Sequence, residues 1–265
     1  MKKIFLLIIL TLCAKPAPAN IALYPHSLEF DVSSKKRVQN VRVINNSDGQ
    51  KTYRVSFVNL AQTNTGAYRE LTPEDSVNTA EQYLFFSPRQ FTLKPGQVQT
   101  LNIMRRPAAD MADGEYVSHL KIAEVHIPNP REKAASEEGG GDKTLTIKLK
   151  ALYAVTIPVI IHKGALESKV EISEIFLRQQ DGRPALEAVL RSEGTQSARG
   201  DIIVLDSKKK VIGRSNNVRI FPYIKERRIL IYLSKTEQEL KGKTISVTFK
   251  DKEPGKNVPE KKISF

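Results

Sequence analysis

Between residues 144 and 157 the chain reads TLTIKLKALYAVTI. Leu145, Ile147, Leu149, Ala151, Tyr153, Val155 and Ile157 take every odd position, and Thr144, Thr146, Lys148 and Lys150 stand between the first of them. A period of two predicts a β-strand with one apolar and one wet face. The run is longer than the usual strand of about 5–6 residues, and a polar, glycine-rich stretch, SEEGGGDK, leads into it. Such a strand is either an ordinary long member of a sandwich or an edge built to pair with another chain.

The same short-period alternation recurs along the chain. It predicts strands over residues 20–30, 37–45, 51–60, 84–93, 98–104 and 116–125, with Tyr53, Val55 and Phe57 on one face of the third. NNSDG, KPGQ and RRPAADMADGE supply turns between them. Residues 61–82 read as a long polar connection with room for one helical turn. Pro88 falls inside the 84–93 run and marks an edge or a bulge, because proline cannot donate to a ladder. After the long strand comes IPVIIHKGALES, with a hinge at residues 162–164. Further strands are predicted at 169–177, 185–191, 200–206, 210–213, 228–233, 244–250 and 261–265, with hairpin turns at QQDGR and FKDKEPGKN. No stretch shows a sustained 3.6-residue period. The expectation is an all-β chain of two immunoglobulin-like β-sandwich domains, residues 20–161 and 162–265.

The first nineteen residues stand apart. Lys2 and Lys3 precede an apolar run, residues 4–12, too short to span a bilayer. Ala17 and Ala19 then fit the small-x-small cleavage rule, so residues 1–19 read as a secretory signal peptide cut before Asn20. The single cysteine, Cys13, lies within it, and Leu12 in front of Cys13 argues against lipidation. The exported chain then folds where disulfides are allowed yet uses none. No later run approaches a transmembrane length, so no membrane insertion is expected. Removing Lys2, Lys3 and Lys15 lowers the formal charge from +13 to about +10. Export argues against nucleic acid as the reason for this charge. The basic residues are scattered and read mostly as a solvated face, with the remainder suited to an acidic or carboxylate-bearing partner.

The search for catalytic chemistry is mostly negative. G-x-S-x-G, H-E-x-x-H and G-x-G-x-x-G are all missing from the sequence. The four histidines form no metal-ligand pattern. His119 reads as half-buried or hydrogen-bonded, and Asp110, Asp113 and Glu115 as a solvated turn. The chain is therefore expected to be a binding protein with neither cofactor nor metal. Arg105 and Arg106 close the 98–104 strand. Neighbouring strand residues point to opposite faces, so one of the two is directed at a cleft, where a guanidinium can grip a carboxylate with two parallel bonds.

Several stretches in order resemble the periplasmic chaperones of the chaperone–usher pilus pathway. They are IALYP, VRVINNS, YRVSFVN, YLFFSPRQFTLKPGQVQTLNI, RRP, GEYVSHL and IPVIIHKG, joined in the second half by GDIIVLD and KKKVIGRSNNVRIFPYIKERRI. The set covers nearly all of the chain after residue 19 and is closest to the archaic, Csu-like branch of this PapD-like superfamily. The resemblance implies two immunoglobulin-like sandwiches in a boomerang arrangement, located in the periplasm. It implies a chaperone that folds and caps pilus subunits by lending them a strand, then delivers them to an outer-membrane usher. The lent strand is the 144–157 run, with Leu145, Ile147 and Leu149 filling client pockets and Ala151 a shallower fourth contact. Classical members hold the client's terminal carboxylate with an arginine on the first strand and a lysine on the lent one. Aligned through Phe30 and Pro158, this chain has Ser27 and Ala151 there. If a carboxylate is gripped, Arg105 and Arg106 are the first candidates, followed by Arg89, Lys148 and Lys150. An edge of this kind also offers the free protein a route to self-association. The competing expectation is a secreted adhesin-like or structural sandwich protein whose long strand is only core.

Overall fold

The computed structural model describes residues 20–107, 110–126, 151–253 and 258–264. Its first part holds β1 (Ile21–Tyr24), β2 (Leu28–Asp31), β3 (Val38–Asn45), β4 (Lys51–Val58), β5 (Leu60–Gln62), β6 (Tyr68–Glu70), β7 (Leu84–Ser87), β8 (Gln90–Leu93), β9 (Val98–Arg105), β10 (Gly114–Val125) and β11 (Ala154–Lys163). Two sheets face each other, in the orders β1-β3-β9-β7 and β2-β11-β10-β4-β8. Alternation explains the packing. Val41 and Val43 of β3, Leu101 and Ile103 of β9, Val55 of β4 and Leu120 and Ile122 of β10 turn inward and are buried. Asn40, Arg42, Asn102 and Arg54 between them are exposed.

Two strands expected to be continuous are broken. Residues 20–30 split into β1 and β2, and residues 84–93 into β7 and β8, with the halves of each in opposite sheets. The Tyr24–Pro25 and Ser87–Pro88 bonds at these crossings are both cis. The expected polar connection also contains a small hairpin, β5 paired with β6, and a 3-10 turn at Glu81–Tyr83. The NNSDG turn is built round the fully buried Asn45, whose side-chain amide donates to Gly49 O at 2.8 Å and Leu93 O at 3.0 Å.

The second part holds β12 (Val170–Gln180), β13 (Arg183–Ser192), β14 (Ala198–Leu205), β15 (Val211–Ile220), β16 (Glu226–Tyr232), a short helix α1 (Glu237–Leu240), β17 (Thr244–Asp251) and β18 (Lys261–Ser264). The sheets β12-β13-β16 and β15-β14-β17-β18 enclose a separate core centred on Leu186, Ile202, Val204, Ile231, Val247 and Phe249. The all-β expectation of two sandwiches holds. The β12–β13 turn is the hairpin expected of QQDGR, with φ of 51° at Asp181 and 69° at Gly182. α1 was not foreseen. It is fixed by a capping box, in which Thr236 and Glu239 satisfy each other's backbone amides, and by Leu240 in the core.

A third, smaller core joins the two sandwiches. Val117 of β10 and Ile160 of β11 point away from the first core and meet Phe221 and Ile224. This is why β10 and β11 are buried on both faces near the junction, whereas β3 and β9 present a wet outer face.

Candidate strand-pairing site

β11 carries the end of the long alternating run, and the structure shifts its limits. The expected strand was 144–157. The described strand begins at Ala154 and runs on through Pro158 to Lys163. Ala151, Leu152 and Tyr153 precede it without regular structure, and Leu145, Ile147, Lys148, Leu149 and Lys150 lie outside the described residues. Along one side, Ala154–Lys163 pairs antiparallel with β10 from Ala123 to Gly114. Along the other side it pairs only with β2, in parallel, over Val159–His162. Among the described residues no strand covers that second side of β11 from Ala154 to Pro158. This row of backbone groups is a ready template for an added strand.

The odd face explains which part of the run packs at home. Ile157, Val159 and Ile161 are buried in the first core and Val155 packs against it. Tyr153 is 48% exposed. Tyr153 shares the odd face of the run with Val155 and Ile157, and alternation alone would bury it with them. The core cover in fact begins at Val155, because β10 ends at Val125 and nothing described lies over Tyr153. Leu152 and Ala151 are also exposed. Apolar surface of this kind, on a chain leaving a sheet with one side unpaired, is suited to burial by another chain. A groove of about 570 Å³ lies on the β10 side of β11, lined by Phe57, Leu60, Leu71 and Lys121 together with Thr156 of β11.

The candidate arginines are not gathered at this row. Arg89 is exposed between β7 and β8, on the edge of the sheet farthest from β11. Arg106 is exposed, with its guanidinium 5.7 Å from the centre of the Phe85 ring. Arg105 points the other way and is buried, as the opposite-face argument required. It donates to Arg106 O at 3.0 Å and, more weakly, to Val32 O and Ser34 O at 3.4 and 3.5 Å, while its Nε has no partner. Burial, followed by the charge of Arg37, pulls its pKa down.

Sequence reasoning missed two other arginines. Arg199 of β14 and Arg219 of β15 stand directly opposite each other in register, an unfavourable like-charge pair unless neutralised. The first sandwich supplies the neutralisation. Arg219 Nη2 lies 2.5 Å from Glu29 Oε1, and Arg199 Nη1 donates to Ser27 Oγ at 3.2 Å. Burial pushes the Glu29 carboxyl up, but Arg219, aided by His162 and Arg199, outweighs it and holds the pKa below its ordinary value. Ser27 precedes Leu28, the residue of β2 that pairs with Val159. Arg199 therefore stands where the open row of β11 ends. The only signal in the sequence was an arginine on each of two strands of the second half, which says nothing about a partner in the first.

Glu115, expected in a solvated turn, is instead buried at the junction. Its Oε2 lies 2.9 Å from His162 Nε2 and accepts from Ser197 N and Oγ at 2.8 Å each, and Arg219 donates to the same Ser197 hydroxyl at 2.9 Å. Deleting one member of such a buried set leaves the others unsatisfied, at a cost of about 1–3 kcal/mol. Glu115→Ala is expected to lower the unfolding free energy by about 2 kcal/mol, read as a shift in the urea midpoint. An unchanged midpoint would show the cluster to be energetically idle.

His119 was expected to be half-buried or hydrogen-bonded. It is 2% exposed, and among the described residues neither ring nitrogen has a partner. Tyr68 covers it edge-on, with ring centres 5.0 Å apart. Burial alone pushes its pKa down to about 4.

The described residues contain no group of three or more metal-ligating side chains and no helix long and apolar enough to cross a membrane. No family model matches the chain and no curated protein matches it. Solved structures give a likeness over nearly the full length. The chaperone–tip adhesin complex of CFA/I fimbriae biogenesis aligns at a TM-score of 0.46 and 13% identity, covering 92% of this chain and 98% of the other. The CsuC–CsuE chaperone–tip adhesion subunit pre-assembly complex of archaic Csu pili, from Acinetobacter baumannii, aligns at 0.46 and 13%, covering 93% and 99%. The YadV chaperone aligns at 0.45 and 12%, covering 92% and 100%. TM-scores below 0.5 at such identities mark a loose likeness.

Proposed function

We propose that the chain is a periplasmic assembly chaperone that lends a strand to pilus subunits and passes them to an outer-membrane usher. The observation that carries this reading is the open row of β11, Ala154–Pro158, continuous in sequence with an alternating apolar run whose odd face leaves its own core at Tyr153. Strand addition takes its affinity from main-chain bonds along such a row and its specificity from alternate side chains. Leu145, Ile147 and Leu149 would fill client pockets, each contributing about 1.5–3 kcal/mol before the costs of association, with Ala151 as a shallower fourth contact. Residues 1–19 would direct export and be removed. The passage between the two domains would fall near His162, dividing residues 20–161 from 162–265. The chain would act by binding, without a catalytic step.

A client strand added beside Ala154–Pro158 would occupy the same row as β2 and end against it. Arg105 and Arg106 were the first candidates to grip a terminal carboxylate. Arg105, however, bonds at Val32 and Ser34, beyond the far end of β2, whereas Arg199 bonds at Ser27, at its near end. The four residues of β2 separate the two places by roughly 13 Å at about 3.3 Å per residue. Arg199 therefore joins Arg105 and Arg106 as a carboxylate grip in this reading, and takes precedence by position. The same open row supports self-association of the free chaperone.

Co-expression with a pilus subunit encoded beside it should yield a soluble 1:1 complex on size-exclusion chromatography. A subunit that stays insoluble or is degraded while this chain elutes alone would overturn the proposal.

A further inference from the structure

The β5–β6 hairpin belongs to neither sheet of the first sandwich, and among the described residues its strands pair only with each other. At the turn end of its ladder, where Tyr68 stands opposite Gln62, it rests on β10, and Tyr68 covers His119. Its tip reaches the second sandwich. There the Arg228 amide of β16 donates to Asn64 O at 2.7 Å, and Arg227 Nη1 donates to the same carbonyl at 3.2 Å. At that same turn end of the ladder, the Gln62 backbone amide donates to the Tyr223 hydroxyl at 3.1 Å. Tyr223 in turn stacks on Phe221, a member of the junction core, with ring centres 5.3 Å apart and planes within 9°.

The fit at the tip is close. Gly66 has a φ of +89°, and a Cβ built on it would lie 1.6 Å from Arg227 Nη2. The guanidinium thus lies against bare backbone in a turn that favours glycine. Arg227 is half-buried here, and its buried Nε has no partner among the described residues. Burial draws its pKa down.

Two bodies that meet at one patch can rock about it, and a second support away from that patch removes the motion. The first support is the junction core of Val117, Ile160, Phe221 and Ile224 with the Glu115–Ser197 bonds beside it, continued through Arg219 on Ser197 and Glu29 to Arg199 on Ser27. The second is the hairpin tip on β16. We propose that the β5–β6 hairpin is a clasp that fixes the angle between the two sandwiches. The two sheets of the first sandwich do not need it for closure, since it adds no strand to either. Its contacts with β16 are to backbone groups and one long side chain, so they can be released without opening either core.

The test is a distance measurement between spin labels, one on each sandwich. Exposed Lys94 and Lys208 are replaced by cysteine in the chain starting at Asn20, from which Cys13, the single cysteine, is gone. In this parent the distribution should be a single narrow peak. Two variants release the clasp by different routes. One replaces residues 63–67 (TNTGA) by Asn-Gly, a two-residue turn that closes the hairpin short of β16. The other keeps the hairpin and removes its two side-chain partners with Arg227→Ala and Tyr223→Phe, so that of the hydrogen bonds described above the Arg228 amide alone still holds Asn64. Each should at least double the width of the distribution while circular dichroism stays that of the parent. An unchanged width in a folded variant overturns the proposal. If the shortened hairpin does not fold, the Arg227→Ala, Tyr223→Phe variant decides alone, because it leaves the first sandwich untouched.

Discussion

Replacing Leu145, Ile147 and Leu149 together by serine is expected to abolish capture of a pilus subunit. Three side chains buried at about 1.5–3 kcal/mol each give a gross loss of at least ~4 kcal/mol, or roughly a thousandfold in affinity. Single replacements should weaken capture by about tenfold to a hundredfold each. The even positions, Thr146 and Lys148, should tolerate alanine with little change, because alternate residues of a strand face opposite ways. The isolated chain should keep its melting temperature, since β11 already fills the described first core with Val155, Ile157, Val159 and Ile161. The measurements are a pull-down of co-expressed subunit and a thermal melt of the variant alone. A triple variant that still brings subunit down at parental yield would remove the strand-lending claim and leave the long run without a role in binding.

Acid should destabilise the protein through one residue before the carboxylates respond. Buried His119 is neutral in the native state, with its pKa pushed down to about 4 from an ordinary value of 6.5. Unfolding exposes the ring, and between these two values the unfolded chain holds a proton that the native chain refuses. Stability therefore rises with pH across this window and falls as acid is added. The full difference, about 2.5 units at 1.36 kcal/mol each, is about 3 kcal/mol and is spent by pH 4. Carboxylates with lowered pKa act later. Asp206, held at about 2 chiefly by Lys235, gives up its contribution only as pH falls below the ordinary aspartate value of 3.8. His119→Leu should thus lose about 3 kcal/mol less than the parent between pH 6.5 and 4, measured by urea unfolding at each pH. Parallel stability curves for the two proteins would show that His119 already has a partner in solution.

The strands were legible because one periodicity governs them. β3, β4, β9 and β10 fall within a residue or two of the expected runs, and their inward residues are those the alternation selects. Where the reading failed, the cause was a neighbour distant in sequence. The 20–30 and 84–93 runs look continuous because each half alternates correctly, and only the pairing partners reveal that the halves serve different sheets. Glu115 sits in a polar stretch, and its burial is decided by Ser197, 82 residues away. His119 is enclosed by a hairpin that the polar composition of residues 61–82 concealed. At the candidate site the apolar phase of the odd face from Val155 to Ile157 was legible, whereas the continuation of β11 through Pro158 to Lys163 was not. The inner limit of the home-packed part was not, because it depends on where β10 ends. Arg199 was invisible because nothing local couples it to Ser27.

The crossing between β1 and β2 divides one stretch of chain between two sheets. Residues 21–24 are spent against Arg42–Asn45 of β3, and residues 28–31 against Val159–His162 of β11. What one sheet gains, the other forgoes. The length of β11 left bare is therefore fixed upstream, by the point at which the first strand changes sides, and not by β11 itself. An earlier crossing would shorten β1 and extend β2 along Pro158, Ile157 and Thr156, closing the row from the junction outward. A later one would open it toward His162. The first dozen residues of the folded chain thus act as a ruler for a binding edge more than a hundred residues further on.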